Sequence, residues 1–154
     1  MNETDASSDA ELAARLAHLP VARDTAAHYR GYLHRELVMN RCGDCGRWHH
    51  PMRPMCPACW SWNVVPTAVS GRGTVHLFVL LHQGPPADGI DYSKGPHPVG
   101  TVQLEEQDGL RFTGPIVGCV LDEIRIGMPV ELTWIERQGS PYPAFRPASI
   151  GATA

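Results

Sequence analysis

The chain has 154 residues, 43% of them hydrophobic, which suits a single domain with an appendage and is too little for two full domains. Thirteen Lys and Arg against sixteen Asp and Glu give a formal net charge of -3, whereas nucleic-acid-binding proteins usually carry a basic surplus. The charge therefore argues against DNA or RNA as a ligand.

The N-terminal segment shows no targeting or membrane signal. It is polar and acidic, and it lacks both a basic n-region and an apolar run long enough for a signal peptide or a membrane span. We therefore expect a cytoplasmic protein that does not associate with a membrane. Residues 1–8 have no apolar period on which to fold, so we expect a disordered tail there.

Two helices are predicted ahead of the cysteine-rich part of the chain. Leucines recur at helical spacing between residues 9 and 19, and Pro20 follows them. A second helical period runs from Asp24, which can cap a helix, to about Glu36. We assign residues 9–37 to these N-terminal helices.

Two Cys-x-x-Cys pairs lie in a stretch where helical and strand periods both vanish and Gly and Pro are frequent. The four residues are Cys42, Cys45, Cys56 and Cys59. Ten residues separate the pairs, a spacing typical of a ribbon in which each pair forms one knuckle of a tetrahedral zinc site. We assign residues 38–64 to a zinc ribbon. Four thiolates leave the metal no open position, so we expect its role to be structural.

Other interpretations of the ribbon remain open. The same pair of knuckles describes rubredoxin, in which iron fills the tetrahedron and passes one electron, so iron is the alternative to zinc. His49 and His50 follow the first knuckle and could replace a cysteine ligand. Because four cysteines are already in register, we expect the two histidines to lie at the surface or next to the ligands instead. Arg47 and Arg53 would either contact the phosphates of an anionic ligand or offset the negative charge of the metal-thiolate cluster.

After Pro66 the composition changes to alternating runs with β-branched residues, broken by Gly and Pro. Five strands are predicted at barrel-like spacing, over 73–83, 97–107, 110–120, 128–138 and 144–150. Asp108-Gly109 predicts that the second and third strands pair as a hairpin. We assign residues 65–150 to this five-stranded barrel.

Six short motifs follow one another in order: RCGDCG (41–46), PMRPMCPAC (51–59), VSGRGTV (69–75), GPIVGC (114–119), IRIGMPVEL (124–132) and FRPA (145–148). The series resembles a bacterial and archaeal family, described as acyl-CoA-associated, that combines N-terminal helices, a rubredoxin-like zinc ribbon and an OB-fold. The resemblance covers about residues 24–148. It implies a mainly β fold with N-terminal helices, in which the rubredoxin-like zinc ribbon is followed by a five-stranded OB-fold barrel. Trp60 departs from the family pattern, which usually has glycine at this position.

The resemblance also implies a function. It predicts a non-catalytic accessory subunit that binds and completes or stabilises a thiolase-like enzyme (a thiolase or an aldolase) or a hydratase of acyl-CoA and lipid metabolism, and that could contact the CoA moiety. No catalytic residues are predicted. Aromatic residues are enriched at interface centres and arginine suits phosphates. The candidate contacts to CoA or to the partner are Tyr29, Tyr32, Arg47, Arg53, Trp60 and Trp62.

Two other functions remain as alternatives. Zinc ribbons and OB-fold barrels both occur in single-stranded nucleic-acid-binding proteins, in which aromatic side chains stack on bases. An iron-loaded ribbon would instead make the chain a rubredoxin-like electron carrier. The metal content and the binding of single-stranded DNA or RNA separate these alternatives from an accessory subunit.

Overall fold

The computed structural model describes residues 10–83 and 90–149. The chain forms two compact units, the first running to Val69 and including Gly139–Tyr142, the second running from Ser70 to Gln138 and resuming at Pro143. The tail predicted over residues 1–8 lies outside the described part. Among the described residues, none of the helices is long and apolar enough to cross a membrane.

The first unit begins with two helices, α1 (residues 10–15) and α2 (Ala26–Leu33). The predicted leucine stripe of α1 is confirmed, because Leu12 and Leu16 are buried. Both helices end earlier than predicted, and Asp24 is not the cap of α2, since Thr25 holds the N-cap position.

The end of α2 shows why the helix stops before Glu36. Arg35 turns into the left-handed region with φ 57°, and the Glu36 N–H donates to the Gly31 carbonyl at 2.8 Å. A Cβ at Gly31 would lie 2.4 Å from the Glu36 carbonyl oxygen, so this turn requires glycine. The turn leads the chain directly into the first strand.

A three-stranded antiparallel sheet follows, with strand order β2-β1-β3. Its strands are β1 (Val38–Cys42), β2 (Trp48–His49) and β3 (Val64–Ala68). The sequence did not predict this sheet, because β2 has only two residues and Pro66 interrupts β3. The register pairs Asn40 with His49 and Cys42 with Val64, which places Cys42 at the end of the central strand.

The second unit is built on a five-stranded sheet, with strand order β6-β5-β4-β7-β8. The strands are β4 (Arg72–Leu81), β5 (His97–Leu104), β6 (Arg111–Pro115), β7 (Pro129–Arg137) and β8 (Ser140–Pro147). A parallel bridge from Ile116 to Phe145 brings the two outer strands together, so the sheet is a nearly closed barrel. This arrangement confirms the predicted OB-fold.

The interior of the barrel follows the alternation read from the sequence. Val75, Val102, Val130 and Phe145 are each at most 1% exposed. The predicted hairpin is also confirmed, since β5 and β6 pair antiparallel with Val102 opposite Phe112.

One irregularity interrupts β4. Its pairing with β5 shifts between Val75 and Leu77, so His76 is an extra residue in the strand, a β-bulge. On its other side β4 pairs with β7 only from Arg72 to Thr74. The bulge therefore separates an inner half of β4, which has a partner on each side, from an outer half that extends along β5.

Candidate metal centre

The four cysteines of the two Cys-x-x-Cys pairs converge on one point. The Sγ atoms of Cys42, Cys45, Cys56 and Cys59 all lie within 4.8 Å of one another. Two of these separations are 3.5 Å, between Cys42 and Cys59, and 3.7 Å, between Cys45 and Cys56. A tetrahedral ion with metal–sulfur bonds of about 2.3 Å requires sulfurs about 3.8 Å apart, whereas a disulfide requires about 2.05 Å. The geometry is that of a four-cysteine zinc-ribbon site with free thiols.

The backbone builds the two knuckles in the same way. In the first knuckle the Gly46 N–H donates to the Cys42 carbonyl at 2.9 Å, and in the second the Trp60 N–H donates to the Cys56 carbonyl at 3.0 Å. The Cys45 N–H also points at the Cys42 sulfur, at 3.5 Å. This backbone donor is the main reason that the pKa of Cys42 falls to about 6, and the N–H of Cys59 likewise lowers the pKa of Cys56. At Cys42 and Cys56 the backbone thus favours the thiolate form that binds metal.

The residue after each knuckle has a left-handed backbone. Gly46 has φ 74° and Trp60 has φ 63°. Glycine adopts this region without strain, but for a residue with a Cβ it costs about 1–2 kcal/mol. The departure of Trp60 from the family pattern therefore falls at a position where the backbone favours glycine.

Asp44, inside the first knuckle, holds the chain that leaves the second knuckle. Its carboxylate accepts a hydrogen bond from the Asn63 side-chain amide at 2.8 Å and another from the Ser61 hydroxyl. These two hydrogen bonds, with that of Ser61 the stronger, lower the pKa of Asp44. The Ser61 oxygen in turn accepts from the Asn63 N–H at 2.9 Å. We name this arrangement of Asp44, Ser61 and Asn63 the aspartate clamp.

Sequence reasoning missed the aspartate clamp. Its only signal is an acidic residue between two cysteine ligands, combined with small polar residues just after the second pair. Such residues are common in loops, so the pattern has little specificity.

A second, partly buried cluster centres on His28 of α2. Its Nδ1 lies 2.7 Å from the Val38 carbonyl and its Nε2 lies 3.1 Å from the Tyr32 hydroxyl. The rings of Tyr29, Tyr32 and His50 lie 5.1–5.2 Å from the His28 ring. His28 therefore links α2 to β1, and we name these four residues the histidine cluster.

The histidines next to the ribbon are not among the residues that converge. The metal-binding group in the described part of the chain consists of the four cysteines alone. His49 is 8% exposed, and His50 belongs to the histidine cluster. Burial is the main cause that lowers the pKa of His28, His49 and His50, in the case of His50 to about 4.

The candidate contact residues fall into two groups. Arg47, Arg53, Trp60 and Trp62 are exposed, the two tryptophans by 70% and 74% respectively. Tyr32 is only 4% exposed, so its ring is buried.

The tyrosines of α2 pack against other aromatic rings. The Tyr32 ring packs edge-on against Tyr29 and Tyr142, and Tyr29 is half-buried. Any contact of Tyr32 with CoA or a partner would require this packing to change. The predicted contacts of all six residues stay predictions.

Two domain families match the chain in adjacent segments. Residues 33–65 match the rubredoxin-like zinc ribbon domain of ChsH2, and residues 66–134 match the C-terminal OB-fold domain of ChsH2. The boundary between the matches falls inside β3.

Similar proteins come from bacteria and archaea. The chain is 36% identical over 129 residues to a probable enoyl-CoA hydratase alpha subunit of Thermomonospora curvata, covering 83% of this chain and 39% of that protein. It is 33% identical over 99 residues to a DUF35 domain-containing scaffold protein of Methanothermobacter thermautotrophicus, covering 64% of this chain and 71% of that protein. The chain thus spans well under half of the hydratase subunit.

A solved structure described as "Ltp2-ChsH2(DUF35) aldolase" also matches. One of its chains superposes with a TM-score of 0.75 and 35% sequence identity. The superposition covers 85% of this chain and 99% of that chain. The likeness therefore extends over both the ribbon and the barrel.

Replacing Trp60 by glycine should stabilise the ribbon. Trp60→Gly removes the left-handed strain at φ 63°, so we expect a gain of about 1 kcal/mol and about fivefold slower transfer of bound metal to a chelator. Trp62→Gly is the matched control, because Trp62 is equally exposed and is not among the described residues with positive φ. Equal rates of metal release from the two variants would show that the backbone of Trp60 is not strained.

Acidification should destabilise the first unit through the histidine cluster. The folded pKa of His50, about 4, lies below its ordinary value of 6.5, so the stability it contributes is complete above pH 6.5 and is lost as the pH falls towards 4. The full effect is on the order of 3 kcal/mol. Urea unfolding between pH 7.5 and pH 5 should show His50→Gln losing less stability than the parent protein.

The control for this pH series is His34→Gln, at an exposed histidine just after α2. It should keep the pH dependence of the parent. Comparing variants at each pH removes the effect of metal release, which is common to all three proteins. An unchanged slope in His50→Gln would show that burial of His50 does not govern the acid sensitivity.

Proposed function

Since the chain belongs to the DUF35 family of proteins, which join a rubredoxin-like zinc ribbon to an OB-fold, we propose that it is a non-catalytic accessory subunit of an acyl-CoA-processing enzyme. It binds and completes or stabilises a thiolase-like enzyme, meaning a thiolase or an aldolase, or a hydratase. It could also contact the CoA moiety of the substrate.

The observation that carries this proposal is the match to the aldolase structure. That structure is described as a DUF35 component together with an aldolase, and the superposition covers nearly all of the matching chain. The hydratase alpha subunit of Thermomonospora curvata supports the same class of partner, because its name ties this type of domain to an enoyl-CoA substrate. Both comparisons support a role beside an enzyme.

The chemistry of the site supports binding in place of catalysis. Four thiolates complete the coordination of a tetrahedral ion, so no position remains for a water molecule or a substrate oxygen. The metal instead orders a stretch that presents Trp60 and Trp62 to solvent. Large exposed aromatic rings of this kind are typical anchors of protein interfaces.

We propose zinc as the ion and the four cysteines as its ligands. The thiolates of a four-cysteine site bind both zinc and iron, and the sulfur spacing suits either ion. Zinc fits a protein whose task is to hold a docking surface, because zinc has no redox chemistry.

Removing one knuckle should release the metal and unfold the ribbon together. In the double variant Cys42→Ser and Cys45→Ser we expect less than about one tenth of the parent metal content and loss of ribbon order, since metal binding and local folding are one equilibrium. Elemental analysis gives the content, and the parent should be colourless with one zinc per chain. Cys119→Ser, at a cysteine outside the site, should retain its zinc.

Unchanged metal content in the double variant would refute the ligand assignment. A red parent protein with a thiolate-to-iron absorption band would instead favour the electron-carrier alternative. Binding of single-stranded DNA or RNA at micromolar protein, weakened by salt, would favour the nucleic-acid alternative.

Purification from native cells should recover an enzyme with this chain. We expect mass spectrometry to identify a thiolase-like enzyme or a hydratase, and that enzyme to lose activity or stability when the chain is withheld. Trp62→Ala should weaken the association about tenfold or more, because it removes a large exposed anchor. Val120→Ala, which shortens another exposed side chain, is the control and should bind as the parent does.

Recovery of the chain by itself, or of an enzyme whose activity does not respond to the chain, would refute the accessory role. If the enzyme is recovered but Trp62→Ala binds as tightly as the parent, the role stands and the contact assigned to Trp62 falls.

A further inference from the structure

The outer half of β4, residues 76–81, is an exposed apolar strand. We name this segment the β4 arm. Leu77, Val79 and Leu80 are exposed by 44%, 49% and 38% respectively. Successive residues of a strand point to opposite faces, so the arm is apolar on both faces. Such a surface is unusual for a strand that has only one described neighbour.

The direction of the backbone groups along the arm follows from its pairing with β5. The Pro98 carbonyl accepts a hydrogen bond from the Ile116 N–H at 3.0 Å, so the backbone C=O of residue 98 is directed towards β6. Backbone groups alternate along a strand, so those of the next residue, Val99, are directed towards β4. Val99 is opposite Val79 in the register. The N–H and C=O groups of Val79 therefore point towards β5, and those of Phe78 and Leu80 point away from β5.

On the side away from β5, the inner half of β4 pairs with β7, whereas the β4 arm has no described strand as its neighbour. Val75 donates to the Met128 carbonyl at 3.0 Å and accepts from the Gly127 N–H at 2.7 Å, where the contact with the β7 side ends. Within residues 10–83 and 90–149, no strand pairs with the arm beyond this point. The groups of Phe78 and Leu80 thus form an open antiparallel edge, a template for another strand.

The absence of charged side chains along this edge favours its pairing with the same edge of a second copy of the chain. From Gly73 to Gln83 the sequence has no Asp, Glu, Lys or Arg. Strand edges are usually protected from self-association by charged side chains, and the arm has none. Two identical arms brought together therefore place no like charges opposite each other and bury apolar side chains on both faces.

We propose that the β4 arms of two copies of this chain pair antiparallel about a two-fold axis at Val79. In this register Phe78 of one copy exchanges hydrogen bonds with Leu80 of the other, because both residues direct their backbone groups outward. Val79 is opposite its own counterpart in a non-hydrogen-bonded pair. A two-fold axis makes the donors and acceptors match by symmetry.

The size of the arm determines how tight this dimer is. A stable interface buries about 800 Å² per partner, and a six-residue strand offers less than this. The dimer is therefore weak and depends on concentration, with a dissociation constant on the order of 100 μM. The alternative is that the arm pairs with an enzyme subunit, and the experiments below distinguish this from self-pairing.

Sedimentation equilibrium of the full zinc-loaded chain, from about 10 μM to about 1 mM, tests the association. The mean mass should rise from one chain towards two. Val79→Lys should weaken dimerisation about tenfold or more, because the axis would place two ammonium groups opposite each other. Val65→Lys is the matched control, since Val65 is on a strand and is 48% exposed, and it should associate as the parent does.

Cysteine crosslinking tests the register independently of affinity. Val79→Cys should form an intermolecular disulfide under mild oxidation, because residues in a non-hydrogen-bonded pair have Cα atoms about 4.5 Å apart. Leu80→Cys, one residue along, should crosslink at least about tenfold more slowly. Both variants carry Cys119→Ser to remove the other cysteine outside the metal site.

A monomeric parent at about 1 mM that gives no Val79→Cys disulfide would overturn the proposal. So would equal association of Val79→Lys and the parent, or faster crosslinking of Leu80→Cys. A monomeric chain whose capture of an enzyme is abolished by Val79→Lys would assign the arm to that enzyme and refute self-pairing. None of these results would refute the accessory role itself.

Discussion

The convergence of four cysteine sulfurs is the constraint on which the ribbon depends. In the segment between β1 and β3, the buried apolar side chains are those of Met52 and Cys56. A segment of this kind cannot offset its loss of conformational entropy by burial. A tetrahedral ion held by the four sulfurs would replace the missing core, and Trp60 directly follows one of its ligands, Cys59.

The barrel and the cysteine site could be read from the sequence because each leaves a local signal. Alternating runs predicted five strands, Asp108-Gly109 predicted the hairpin between two of them, and the pair spacing predicted the convergence of the cysteines. The ribbon sheet left no such signal, since pairing of its short strands depends on the knuckles. The rings that cover Tyr32 could not be read from the sequence, because a helical period indicates a face but not what packs against it.

The two units differ in how they are held together. The barrel has an apolar interior that includes Val75, Val102, Val130 and Phe145. The ribbon unit contains the cysteine site, the exposed tryptophans and the histidine cluster, so we expect metal supply and acidification to affect its stability.

The aspartate clamp affects how the site acquires its ion. Asp44 and Asn63 are nineteen residues apart in sequence, and their hydrogen bond closes the loop that contains the second knuckle. Part of the entropy lost in bringing the knuckles together is then offset by protein groups alone. Folding of the ribbon around its metal ion therefore has less disorder to overcome than it would have without the clamp.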